Sequence, residues 1–207
     1  MKLSNKFTMC RILGAPLFFL LYFVPLWTGK FSALSVFIMI PMLGFLEFTD
    51  FLDGFFARRQ NQVSDFGKLF DPFADVMLHI TTFSCLMFNG AAGTAFMPPF
   101  IFILIIYREF SMLFVRMIAT KKGIAIAARK GGKLKTVVYI ASGFFALAVE
   151  CAARLGFDVS SLLPLLKNIS IALFALCLAL SYISFADYLS HFGKVFRDEV
   201  NDTGSGN

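Results

Sequence analysis

The sequence predicts an all-α integral membrane protein, a bundle of six transmembrane helices with both termini on the cytoplasmic side. Three observations predict it. Of 207 residues, 58% are hydrophobic and only 15% charged, with 28 Phe and a mean hydropathy of +0.76, a composition suited to lipid and not to water. The apolar residues run without alternation, as in Pro16 to Val24, where a spanning β-barrel would alternate them; in hydrocarbon only helices and closed barrels satisfy the backbone. With the N-terminus inside, all of the 19 Lys and Arg except Lys30, Arg154 and Lys167 fall on the cytoplasmic side, as basic residues do in membrane proteins.

A basic juxtamembrane segment, about residues 1–11, leads into the first span, Ile12 to Trp27. No small-residue cleavage site precedes Trp27, so this is read as a retained span. The second runs from Phe31 to Thr49 and continues into acidic sequence. After a polar link, Asn61 to Asp65, the third follows at Phe73 to Phe88, with Asp71 before Pro72 predicted as its N-cap. The fourth, Phe96 to Tyr107, falls short of the roughly 20 residues a span needs and is expected to extend through Arg108, Glu109 and Arg116. The fifth and sixth are Val137 to Ala153 and Leu162 to Ala186. Residues 1–197 are thus read as one membrane-embedded catalytic domain, and 198–207 as a polar, disordered tail.

Composition also excludes some functions. The net charge of +6 lies where anionic headgroups meet the chain, and the basic residues border spans without forming a soluble domain, so a nucleic-acid partner is excluded and the lipid bilayer is the expected one. Cys10, Cys85, Cys151 and Cys177 stand singly, with no C-x-x-C spacing, and read as small apolar residues.

The chemistry is concentrated in four aspartates. Asp50, Asp53, Gly54 and Ala57 are spaced i, i+3, i+4, i+7, which places all four on one helix face. Gly54 and Ala57 admit a close backbone or a flat ligand, and Arg58 follows Gly54 by one turn. Asp71 and Asp75 lie across the polar link. The plain alternative is that these acids pair with Arg58, Arg59 and Lys68 at a cytoplasmic turn. An acid at membrane depth costs about 2.5–3.5 kcal/mol, however, so four in one short stretch demand a role. Carboxylates from two helix ends form a set of hard oxygen ligands suited to Mg²⁺ or Mn²⁺.

The stretch reads D-x2-D-G-x2-A-R-x8-G-x3-D-x3-D, with Gly67 as the second glycine. This pattern resembles the signature of the CDP-alcohol phosphotransferase family, six-helix membrane enzymes that move a phosphatidyl or similar group from a CDP-linked donor to an alcohol and release CMP. The resemblance implies two divalent metal ions, Mg²⁺ or Mn²⁺, held by Asp50, Asp53, Asp71 and Asp75, with Asp75 as base for the acceptor hydroxyl. It also implies contact of Asp50, Asp53, Gly54, Ala57, Arg58, Ser64 and Gly67 with the CDP moiety. A homodimer and a bacterial inner-membrane location, with the active site facing the cytoplasm, are further expectations of that resemblance.

Arg108 and Arg116, eight residues apart, share a helix face, and their apolar surroundings predict that they turn inward. An inward basic pair suits an acceptor that already carries a phosphate. Arg108-Glu109-Phe110, the run Gly132 to Thr136 and the opening Asn5 to Arg11 are similar to the R-E-F, G-K-x-K-T and N-x-x-T-x-x-R segments of the family branch that acts on glycerol 3-phosphate. The resemblance implies that Arg108, Arg116, Lys133 and Lys135 hold the acceptor phosphate and that CDP-diacylglycerol is the donor. Two positions depart from that branch, Val76 where Lys often stands and Tyr139 where Gln does, and they keep inositol phosphate or serine open as acceptors. The rival outside enzymes is a transporter, which predicts acids near mid-membrane and internal repeat symmetry; here the acids cluster at the cytoplasmic ends of two helices.

Overall fold

Each apolar run satisfies its own backbone by closing into a helix, because lipid offers no donors or acceptors. The computed structural model describes residues 3–60, 65–121, 123 and 130–204, with side chains within 6–49, 69–121, 123 and 131–190. Six helices run through the described residues: α1 (Leu3–Thr28), α2 (Ser32–Gln60), α3 (Asp65–Cys85), α4 (Pro99–Lys121), α5 (Lys130–Arg154) and α6 (Leu163–Gly204). No strand occurs among them. Four contain stretches long and apolar enough to cross a membrane: Lys6–Thr28, Ser32–Thr49, Gly131–Arg154 and Leu163–Ser190. The helices α3 and α4 are not in that set, and they carry the polar residues Asp71, Asp75 and His79, and Arg108, Glu109 and Arg116.

The bundle divides into two packed regions. α1 lies along α2 and α3, where Phe18, Tyr22, Met39, Leu43, Leu46 and Leu78 form one core. α5 lies along α6, and α4 joins α3 to α6 through a second core of Phe83, Phe96, Ile101, Ile105, Tyr139 and Phe174. Close approach of α1 to α2 depends on Gly14, where an added Cβ would sit 2.6 Å from a Leu46 methyl. The outer faces expose Leu13, Phe37, Phe100, Phe114 and Ile183, an apolar exterior suited to acyl chains.

At the end of the bundle remote from the acids, a buried ion pair joins four segments. Arg154 Nε donates to Glu150 Oε1 at 2.9 Å, Nη1 to Ser35 Oγ at 3.1 Å and Nη2 to the Tyr22 carbonyl at 2.9 Å. The Arg154 guanidinium also lies over the Tyr22 ring, 4.5 Å from its centroid. Glu150 in turn accepts from the backbone N–H groups of Ala91 and Ala92 at 2.8 and 3.2 Å, tying down the α3–α4 loop. Gly90 is required there, since a Cβ would lie 2.3 Å from the Glu150 carboxylate oxygens. On the neighbouring α5–α6 loop, the Ser160 N–H and hydroxyl both donate to Asp158 and hold its carboxyl below the usual range.

Two expectations are corrected. Asp71 is not an N-cap: α3 begins at Asp65, so Asp71 and Pro72 lie inside the helix. Proline there removes one backbone bond without ending the helix, as it does in α1 at Pro16 and Pro25 and in α2 at Pro41. The segment from Asp198 is not an irregular tail, because α6 continues through it to Gly204. Extending an existing helix needs no new nucleus, so polar residues can continue it. The last three residues, 205–207, lie outside the described ones.

Candidate active site

Asp71, Asp75 and His79 follow one another at four-residue spacing and share one face of α3. The first turns of α1 meet that face with residues that are themselves one turn apart. Thr8 Oγ1 donates to Asp71 Oδ1, and Arg11 Nη1 donates to Asp75 Oδ1. Arg11 is completely buried, whereas the Asp75 side chain is about one-third exposed at 32%. The acid face is thus backed by a cation, with the Asp75 carboxylate partly exposed.

Asp50, Asp53, Gly54, Ala57 and Arg58 belong to the last turns of α2, and Gly67 to the first turns of α3. Their side chains, and Ser64 altogether, lie outside the described residues. One turn before Asp50, Glu47 reaches toward α3, where His79 lies one turn beyond Asp75. Glu47 Oε1 and His79 Nε2 are 3.5 Å apart, with both side chains largely buried. This pair sets α2 against α3 at the level just below the acids. Among the described residues no group of three or more His, Cys, Asp or Glu comes together as a metal site.

The basic residues expected at the acceptor phosphate separate into two kinds. Arg108, 4% exposed, donates through Nη1 to both Glu109 oxygens at 3.0 Å and through Nε to the Ser181 carbonyl at 2.8 Å. Lys135 Nζ donates to Glu109 Oε1 at 2.7 Å, and the Tyr139 hydroxyl donates to the same oxygen at 2.9 Å. Glu109 is therefore the hub that brings Arg108 and Lys135 together. Arg116 is partly buried, and its Nε has no hydrogen-bond partner. Lys133 is exposed.

Tyr139 links the two groups of residues. Its ring meets that of His79 edge-on at 5.5 Å and lies 4.6 Å from Lys135 Nζ, while its hydroxyl is held by Glu109. A polar line therefore runs from Asp75 through His79 and Tyr139 to Glu109, Lys135 and Arg108. It runs from the middle of α3, past α5, to the middle of α4.

Sequence reasoning did not assign Thr8, Arg11, Glu47, His79, Glu109 or Tyr139 to the site. Arg11 carried a signal, as a cation heading an apolar run three residues after Thr8. Glu47 carried one too, three residues before Asp50 and on the same helix face. His79 extends the Asp71, Asp75 spacing by one further turn.

The family model for CDP-alcohol phosphatidyltransferase matches residues 1–183. A CDP-diacylglycerol–glycerol-3-phosphate 3-phosphatidyltransferase of Treponema pallidum is 34% identical over 203 residues, covering 95% of this chain and 92% of the relative. The protein of the same name from Aquifex aeolicus is 30% identical, covering 96% of this chain and all of the relative. That from Bacillus subtilis is 34% identical over 140 residues, covering 65% of this chain and 70% of the relative. With a match that takes in the acids of α2 and α3 and the basic residues of α4 and α5 alike, the chain belongs to the CDP-alcohol phosphatidyltransferase family.

Proposed function

We propose that this chain transfers the phosphatidyl group of CDP-diacylglycerol to sn-glycerol 3-phosphate, giving phosphatidylglycerol phosphate and CMP. The observation that carries the reading is the near full-length similarity to the Treponema pallidum enzyme of that name, which spans both the acid face and the basic residues. The reaction takes place at the cytoplasmic face of a bacterial inner membrane, and the protein works as a homodimer.

The donor set fits a divalent cation. Carboxylate oxygens are hard ligands, and in the described part of the set Asp71 accepts from the Thr8 hydroxyl and Asp75 from Arg11. Asp50, Asp53, Asp71 and Asp75 would hold two Mg²⁺ or Mn²⁺ ions, which when bound supply charge neutralisation on the diphosphate and on departing CMP. Gly54, Ala57 and Gly67 let the nucleotide approach the backbone, while Arg58 and Ser64 hydrogen-bond it.

Asp75 takes the proton of the acceptor's 1-hydroxyl. The freed oxygen attacks the phosphorus that bears diacylglycerol, the bond to the CMP oxygen breaks, and CMP leaves as an anion. Arg11 holds the Asp75 carboxylate from α1; Arg116 and Lys133 bind the acceptor phosphate directly, and Arg108 and Lys135, held by Glu109, add their positive charge to that phosphate's site. The acyl chains stay in the bilayer while the head enters the cleft.

Purified protein supplied with CDP-diacylglycerol and Mg²⁺ or Mn²⁺ is expected to release CMP with glycerol 3-phosphate, and not with inositol phosphate or serine. EDTA should abolish release. Preference for another acceptor would overturn the substrate assignment.

A further inference from the structure

The four acids stand on two helices, Asp50 and Asp53 on α2 and Asp71 and Asp75 on α3, so the distance between those helices decides whether their carboxylates can share a cation. Direct packing does little to set that distance. α1 and α5 each pack against both α2 and α3, whereas α2 and α3 make no comparable contact with each other among the described residues. Between α2, α3 and α5 lies a cavity of about 10 Å³, room for about one water, walled by Leu43, Phe83, Ile140 and Phe144. Side chains that line a void lose contacts on that side, so apolar packing fixes the separation only weakly at this level.

One polar pair crosses from α2 to α3 at the cavity. Glu47, one turn before Asp50, brings Oε1 to within 3.5 Å of Nε2 of His79, one turn beyond Asp75. Their side chains are 13% and 11% exposed. A carboxylate so buried must be met by a donor, and His79 is the residue that meets it. The imidazole is braced in turn from α5, where the Tyr139 ring meets it edge-on at 5.5 Å and the Tyr139 hydroxyl is anchored on Glu109 at 2.9 Å.

We propose that Glu47 and His79 are positioning residues that form a strut, fixing the gap between the two acid-bearing helices and with it the affinity for divalent cations. This rests on the four aspartates holding those cations. Each arm ends one helical turn, about 5 Å along the axis, from an aspartate, so a change in the strut's length is passed to the carboxylates through rigid helix. Contacts that orient metal ligands from behind are worth about 10–100-fold in affinity.

The test titrates Mn²⁺ into the full-length protein in detergent, with CMP present and no turnover, and reads free Mn²⁺ by electron paramagnetic resonance well below the melting temperature. Glu47→Asp keeps the charge and shortens one arm by a methylene, and its Kd is expected to rise about tenfold. His79→Phe keeps a ring and removes the donor, and should weaken binding to a similar degree. His79→Gln, which keeps an N–H at similar reach, should recover most of the loss. The sign separates geometry from charge, because removing an imidazole, neutral or cationic, cannot weaken cation binding by electrostatics alone. Unchanged or tighter binding in either Glu47→Asp or His79→Phe overturns the strut alone, and should one of them fail to fold, the other decides. Wild type that binds no Mn²⁺ overturns the strut whatever its activity; if it also releases no CMP from CDP-diacylglycerol with any acceptor, the functional reading falls with it.

Discussion

Glu109→Gln tests whether the Glu109 hub holds two buried cations in place. Glu109, with a side chain 5% exposed, accepts from Arg108 at 3.0 Å, Lys135 at 2.7 Å and Tyr139 at 2.9 Å. The amide keeps the shape but removes the charge, and its NH₂ group would be turned toward cations that can only donate. Breaking one buried ion pair by removing a partner costs about 3–5 kcal/mol. For a chain of this size each kcal/mol lowers the melting temperature by about 2–4 °C, so the variant should melt roughly 6–20 °C below wild type. A thiol-reactive fluorophore can report the transition in detergent, because Cys85, Cys151 and Cys177 are buried and free. Combining Glu109→Gln with Lys135→Met should recover part of the loss, since Arg108 keeps the Ser181 carbonyl at 2.8 Å. A single variant melting within about 2 °C of wild type would refute the argument that Glu109 neutralises a desolvated pair.

Asp75→Asn should lower CMP release by about 10²–10⁴-fold, the worth of a general base, with donor binding retained in a sedimentation assay using labelled CDP-diacylglycerol. Arg116→Ala should raise the KM for glycerol 3-phosphate about tenfold or more with kcat little changed, as removal of a charge-assisted hydrogen bond does. Arg108→Ala, by contrast, should show first as a lower melting temperature, since Arg108 is bonded to Ser181 and Glu109 within the bundle. Gly90→Ala drives a methyl group to 2.3 Å from the Glu150 oxygens and should cost about 1–3 kcal/mol in thermal stability, while folded enzyme keeps its specific activity.

The parts of the fold that a periodic pattern can carry were legible in the sequence. Six apolar runs became six helices, and the short fourth run extends through Arg108, Glu109 and Arg116 to Lys121, as its length required. Helix ends were less legible. Asp71-Pro72 has the composition of a helix start, yet Asp65 begins α3 six residues earlier, because a proline inside a buried helix loses one bond without breaking it. Spacing also marked the aspartates, since i, i+3, i+4, i+7 is a local property. Pairings between helices are not local. Nothing in the sequence joins Arg11 to Asp75 across 64 positions, or Lys135 to Glu109 across 26. Arg108 and Lys135 read as donors for a phosphate, and the carboxylate that binds both lies beside Arg108 in the chain. Tyr139, a departure from the similar segment, gains its reason only once its hydroxyl is seen on Glu109 and its ring against His79.

The remote ion pair bears on which helices of the bundle are fastened to one another. Ser35 opens α2 and Arg154 closes α5, and their bond fastens these two helices at the end away from the chemistry. At the catalytic end the same helices flank the cavity that holds Glu47 and His79. The Ser35–Arg154 bond therefore acts as a fixed joint between α2 and α5, like the spring of a clothes peg. At that far end the Thr8–Asp71 and Arg11–Asp75 bonds tie α3 to α1, so the acids of α3 are held by α1 independently of the joint between α2 and α5.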